Sequence, residues 1–262
     1  MNLKIFTIIS ILAAATAVYC QTDTEINKTD PQGRKQGHWI ARYPNGNILY
    51  EGFFKDNYPV GELKRYYNDQ SINSVMIFSG DGKESDATIY YPDGSIAARG
   101  KYVNRMKEGK WKFYSSTIPG YLLNEEEYSK NLRHGLSVKF YTDSTIAEKI
   151  TYKNDRKEGE WIQYYASGNM FLRSVYSGGY LNGKFEVWFE NGIPEITGFY
   201  NNNLREGKWT IFNEDGTIKY VLNYTLGMTK DRKMDLDAEK IIDNLEKNKG
   251  KIPDPEKTGE FR

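Results

Sequence analysis

The chain has 262 residues, enough for one large domain or two ordinary ones, yet only 39% are hydrophobic and its mean hydropathy is −0.71, which excludes a thick globular core. Tyr, Phe and Trp number 21, 12 and 5, or 15% of the chain, so the apolar area it can bury is made of flat rings and suits thin layers. The 36 Lys and Arg balance 35 Asp and Glu, with both signs mixed along the length, which excludes a polycation built for nucleic acid and a disordered polyelectrolyte.

Residues 1–20 read as a signal peptide. Met1 to Lys4 is a short basic start and Ile5 to Val18 is a 14-residue apolar run, too short to span a bilayer as a helix. The spacing predicts export, to the periplasm or beyond. Cleavage before Gln21 is preferred to a lipid anchor on Cys20, because Tyr19 stands where a lipoprotein signal needs a small residue. Cys20 is the single cysteine, so the mature chain is expected to hold no disulfide, thiol nucleophile or Cys-based metal site. No transmembrane helix is expected in it either. Residues 21–36 form a flexible polar lead-in.

From 37 to 227 the chain repeats. Segments beginning Gly37-His-Trp39, Gly61-Glu-Leu63, Asp86-Ala-Thr88, Gly109-Lys-Trp111, Gly135-Leu-Ser137, Gly159-Glu-Trp161, Gly183-Lys-Phe185 and Gly207-Lys-Trp209 follow one another at 24, 25, 23, 26, 24, 24 and 24 residues. Each unit is a β-branched and aromatic run, a turn, a second run and a return. The turn carries Asn45-Gly46, Asp93-Gly94, Asn191-Gly192 or Asp215-Gly216, residues that tolerate positive φ and signal a hairpin. No 3.6-residue periodicity runs through the region. The pattern predicts an all-β chain, an elongated twisted antiparallel sheet of eight stacked hairpins. Sixteen strands at roughly 4.8 Å each would make it about 75 Å long.

The G-x-W-x-x-Y run, the turn Gly, and the N-x-x-x-E-G-x-W junctions such as Asn104 to Trp111 and Asn154 to Trp161 resemble the membrane occupation and recognition nexus (MORN) repeat. They are similar to its bacterial variant in the YwqK-like antitoxin family. The resemblance implies a non-enzymatic scaffold that holds a protein partner, in an antitoxin a toxin. Units two, three and five depart from the pattern, with Leu63, Thr88 and Ser137 in place of Trp, and units two and three are expected to be the least regular.

Rings that recur with the period, Trp39, Trp111, Trp161 and Trp209, read as packing ladders. Tyr114, Tyr164 and Trp188 alternate with them along the strands and are the candidate binding surface, for a protein or for sugar faces. The loop Ser79 to Asp86 gathers acids without the ligand order of a calcium loop, and Glu125 to Glu127 reads as an exposed edge guard with its middle carboxylate on the opposite face. His38 and His134 lie some four units apart, too far to share a metal. No triad elbow or phosphate loop appears, so no catalytic residue, cofactor or metal is assigned. After the repeats, 228–250 is predicted to hold a helix capped by Asp235 or Asp237, with Ala238, Ile241, Ile242 and Leu245 on one apolar face covering the last units; 251–262 is a polar tail. The partner expected is an unidentified protein, with a glycan as the alternative.

Overall fold

Alternating β-branched and aromatic residues separated by turns leave the backbone one economical solution, in which each strand bonds to the one before it. The computed structural model describes residues 26–231, 234–236 and 239–240. Its strands are β1 (Lys28–Thr29), β2 (Lys35–Arg42), β3 (Ile48–Lys55), β4 (Tyr58–Tyr66), β5 (Ile72–Phe78), β6 (Glu84–Tyr90), β7 (Ile96–Val103), β8 (Met106–Tyr114) and β9 (Leu122–Ser129). They continue as β10 (Leu132–Phe140), β11 (Ile146–Lys153), β12 (Arg156–Tyr164), β13 (Met170–Ser177), β14 (Tyr180–Leu181), β15 (Gly183–Trp188), β16 (Pro194–Asn201), β17 (Leu204–Phe212) and β18 (Ile218–Tyr224). Each but β15 pairs antiparallel with its predecessor, so the 18 strands form one open meandering sheet. β14 and β15 both pair with β13 and are two pieces of one strand position, which leaves the expected sixteen positions after the two-residue β1.

The strands meet in two kinds of turn. At one edge of the sheet five-residue loops such as Tyr43 to Asn47 close on a bond from the Gly46 amide to the Tyr43 carbonyl, and only the glycine has positive φ, +90°. This is a type I turn with a glycine bulge, not the two-residue turn that Asn-Gly suggests. The true two-residue turns lie at the opposite edge, at Asp56-Asn57, Asn104-Arg105, Lys130-Asn131, Asn154-Asp155 and Asn202-Asn203, and both residues of each have positive φ without a glycine among them. Asn and Asp bear that conformation at low cost, and here they also tie one unit to the last. Asn57 accepts the Lys35 amide at 2.8 Å and donates its own amide to the Lys35 carbonyl, and Asp155 does the same with Arg133.

One face of the sheet is the core. Trp111 and Val187 are 0% exposed, Trp209 1% and Trp161 3%, and no second layer lies over them among the described residues, so the face is covered by its own large side chains lying across neighbouring strands. Small residues make the room. A Cβ on Gly100 would sit 2.2 Å from the Trp111 ring, and one on Gly198 2.2 Å from Trp209, so each indole lies flat on the glycine of the preceding strand. The same row passes through Gly52 and Leu63, then Met76 and Ala87. Ala87, not Thr88, therefore stands in the tryptophan position of the third unit. The pairing of β5 with β6 runs without the bulge that the other units have, and the strand slips by one residue.

The core is divided. One cluster holds Ala87, Ala98, Trp111, Phe113 and Tyr128, and a larger one runs from Ile150 to Tyr224. A polar belt separates them. In it Glu126, 6% exposed, accepts the Tyr128 hydroxyl at 2.6 Å, and Glu148 takes Gln163 at 2.7 Å, the Trp161 indole at 3.0 Å and Lys139 at 3.2 Å. Glu125 to Glu127 is thus no edge guard: β9 lies inside the sheet between β8 and β10. The alternation itself is as expected, with Glu125 on the outer face paired to Lys110 and Lys112.

Beyond the sheet, 234–236 and 239–240 are helical. Asp235 takes hydrogen bonds from Tyr224 at 2.6 Å and Arg205 at 3.1 Å, which seats this segment on the last unit. Ala238, Ile241, Ile242 and Leu245 lie outside the described residues, as do the proposed leader and the tail.

Candidate binding surfaces

Tyr114, Tyr164 and Trp188 occupy one repeat position, the last residue of a long strand, on the outer face. Tyr66, Tyr90, Phe140 and Phe212 fill the same position in other units, so the sheet carries a stripe of seven rings, all half-buried. Lys149 lies 5.7 Å from the Tyr164 ring centre. Of the ladder indoles Trp111, Trp161 and Trp209 are shut in the core and Trp39, in the first unit, is half-buried, while the stripe rings keep one side in water, with strands of the same type some 10 Å apart.

The stripe is fixed in place by contacts that spacing alone did not disclose. Tyr43, Tyr67, Tyr91, Tyr141 and Tyr165 each open a five-residue turn, and each hydroxyl donates to a carbonyl 23 residues on: those of Tyr66, Tyr90, Tyr114, Tyr164 and Trp188, at 2.7 to 2.9 Å. In the fourth unit Ser115 stands at the start of a wider turn, and Tyr121 replaces the missing ring, reaching the Phe140 carbonyl. Burial of the hydroxyl pushes Tyr141 up from its ordinary value and Tyr165 up to about 12, with Glu195 nearby adding to the latter.

The inner face carries a second periodic feature. A cation at the start of a unit lies over that unit's rings: Lys107 is 5.1 Å from Trp111 and 4.7 Å from Tyr128, Lys157 4.9 Å from Tyr176, and Arg205 5.6 Å from Trp209 and 5.2 Å from Tyr224. Each such contact contributes about 0.5–2 kcal/mol, according to how dry the pair is. In units two and three the column fails. Pro59 replaces the cation of one, Leu63 and Ala87 replace both tryptophans, and a half-open groove of about 820 Å³ remains. Its lining includes Lys35, Arg65, Lys83 and Arg105, with Tyr and Phe rings between them and, among the described residues, no Asp or Glu.

The other candidates resolve into structural parts. His38 stacks on Phe53 at 5.1 Å and His134 lies 3.1 Å from Asn154, on strands β2 and β10. Among the described residues no three His, Cys, Asp or Glu are grouped to hold a metal ion, and no helix is long and apolar enough to cross a membrane. In the Ser79 to Asp86 loop, Asp81 accepts the Lys83 amide at 3.0 Å and Glu84 pairs with Lys101, so two of its carboxylates already have partners. The buried Glu126 and the partly buried Glu148 are likewise held by the donors of the polar belt.

A single open antiparallel sheet, built from a two-strand unit of about 24 residues and packed on one face by the unit's own rings, defines a hairpin-repeat protein. Five of its units match the model of the MORN repeat variant family, at residues 35–56, 133–154, 157–177, 181–202 and 205–225. The unmatched stretch between the first two of these, 57–132, holds two units without the tryptophan, at Leu63 and Ala87, and one that keeps it, at Trp111. No curated protein matches the chain. Among solved structures it is similar to chains in "Crystal Structure of TcdB2-TccC3-Cdc42" and "Crystal Structure of TcdB2-TccC3", at 12% identity in both, over 76% and 75% of this chain, with TM-scores of 0.20 and 0.19. The chain spans 12% of the length of each of them, and at such scores the likeness bears on neither fold nor function.

Proposed function

We propose that this chain is a non-enzymatic repeat scaffold, exported to the cell envelope, that holds a protein partner along its outer face. The observation that carries the reading is the stripe of half-buried rings, one in each of seven units, held in register by the tyrosine hydroxyls. A row of rigid, amphipathic rings loses little entropy on contact and is the composition found at interface centres. The matches to the MORN repeat variant model support a scaffold. Export rests on the apolar run Ile5 to Val18. The resemblance to antitoxins makes a toxin the first class of partner to test.

With the intact chain as bait in an envelope fraction, a discrete partner should be retained and then lost on combining Tyr114→Ala, Tyr164→Ala and Trp188→Ala, the variant's thermal midpoint staying within a few degrees. Retention by the triple variant would move the interface off the stripe. A glycan is the second reading, favoured by the flat, evenly spaced rings; binding on a glycan array with quenching of Trp188 fluorescence would establish it over the protein partner.

A further inference from the structure

The groove of the first three units is the place where the repeat departs from itself, and what it lost decides what it can hold. Gly52 keeps the flat seat that Gly100 and Gly198 give to an indole, but the residue facing it is Leu63, whose Cδ1 would meet an added Cβ at 2.7 Å. Space for a ring is left open to solvent, beside rings that survive, such as Phe54 and Tyr102. Arg65 and Arg105 have no acidic partner among the described residues, and Lys83 has Asp81, at 3.3 Å on the surface. Ser85, 2% exposed, lines the same groove with a buried hydroxyl that has no hydrogen-bond partner. A buried polar atom without a partner costs about 1–3 kcal/mol, and an incoming donor or acceptor would relieve that.

The cations are dispersed. Lys35 opens β2, Arg65 lies on β4, Lys83 precedes β6 and Arg105 sits in the turn before β8, so at roughly 4.8 Å per strand they extend over about 25 Å. One phosphate or one headgroup cannot touch them all. An extended peptide, at about 3.3 Å per residue, covers that distance in seven or eight residues.

We infer that this groove binds an extended acidic peptide whose carboxylates meet Arg65, Arg105, Lys35 and Lys83 and whose apolar side chains fill the place of the missing indole. The inference rests on the scaffold reading for the source of the peptide, a segment of the partner, and it is tested apart from that reading. The probe is a fluorescein-labelled octapeptide alternating Glu with Phe and Leu, followed by anisotropy on the full chain, beside the same peptide with Gln for Glu. The acidic peptide should bind at least tenfold tighter, with an affinity that falls as salt rises. Arg65→Gln combined with Arg105→Gln should erase the preference at an unchanged thermal midpoint, since neither side chain has a partner to lose. Leu63→Trp, set on the Gly52 seat, should raise the midpoint and block both peptides.

Equal affinity for the two peptides, or a preference that survives the double Arg variant, overturns the inference. So does binding of phosphatidylglycerol vesicles without binding of the peptide, which points to a lipid surface instead. A partner that the double Arg variant still retains ends the groove's role and leaves the scaffold standing; peptide preference with no partner in the pull-down does the reverse.

Discussion

Glycines in this chain serve two different ends, and their substitution should separate them. Gly109 has φ +67° with nothing within 4 Å of a would-be Cβ, whereas Gly100 is extended backbone with the Trp111 ring where the Cβ belongs. Gly109→Ala therefore strains only the backbone, by about 1–2 kcal/mol. Gly100→Ala forces the indole off its seat in a packed core and should cost about 3 kcal/mol; urea denaturation followed by tryptophan fluorescence reads both. The reverse change is open at Ser144, which has φ +69° where other units have Gly and whose side chain serves no hydrogen bond. Ser144→Gly should stabilise by about 0.5–1 kcal/mol, the relief of strain less the added freedom of the unfolded chain. Gln70, at φ +71°, should gain nothing from the same change, because its side chain also bonds both the amide and the carbonyl of Ile48.

At the level of strands and turns, the braces opened by Tyr43, Tyr67, Tyr91, Tyr141 and Tyr165 link one hairpin to the next. Tyr165→Phe removes the donor to the Trp188 carbonyl and should cost about 1 kcal/mol, a tolerable loss since Phe189 stands in that position one unit on. The braces also have a pH signature. Tyr165 holds its proton up to about 12, against 10.0 for the free side chain, and Tyr66 beside Glu51 does likewise. Between those values the native protein keeps protons that the unfolded chain releases. This stabilisation is complete below pH 10 and is lost as pH rises through 12. Denaturation midpoints across that range, with phenolate absorbance alongside, should fall together, and a flat midpoint would mean the hydroxyls are not held.

The period and the ladder indoles were legible because each unit needs the same local grammar: a bulge glycine, a ring two residues on, a turn. The two-residue turns were not, since Asn154-Asp155 or Lys130-Asn131 lacks the glycine that announces positive φ, and their stability comes from bonds to the preceding unit. Nor was the slip at Ala87, where an absent bulge changed the register while the 24-residue spacing stayed nearly intact. Leu63 and its neighbours read as irregularity, but that the loss leaves a cationic groove follows only once Lys35, Arg65, Lys83 and Arg105 are brought together by strand pairing. Tyr114, Tyr164 and Trp188 were legible as a set by alternation, whereas the hydroxyls that hold their backbone span 23 residues and leave no trace in local pattern.

Across the whole molecule, the long bonds reach about one period, so the sheet behaves as a stack of neighbours. Excision of residues 159–182, which joins Glu158 to Gly183 and restores the same Glu-Gly junction, should give a shorter protein that still folds, with an unchanged proportion of strand by circular dichroism and a lower thermal midpoint. A chain left unfolded by that deletion would show that distant units support one another. The polar belt of Glu126, Lys139, Glu148 and Gln163 sets the limit of this cooperation. Two oily blocks meet there across a polar joint, and a joint of that kind is where a beam parts under load. Pulled from its ends or warmed slowly, the protein should fracture at β9 to β11 and pass through a half-molted form in which the C-terminal block is still whole, visible as a second step in a force trace or a second peak in calorimetry.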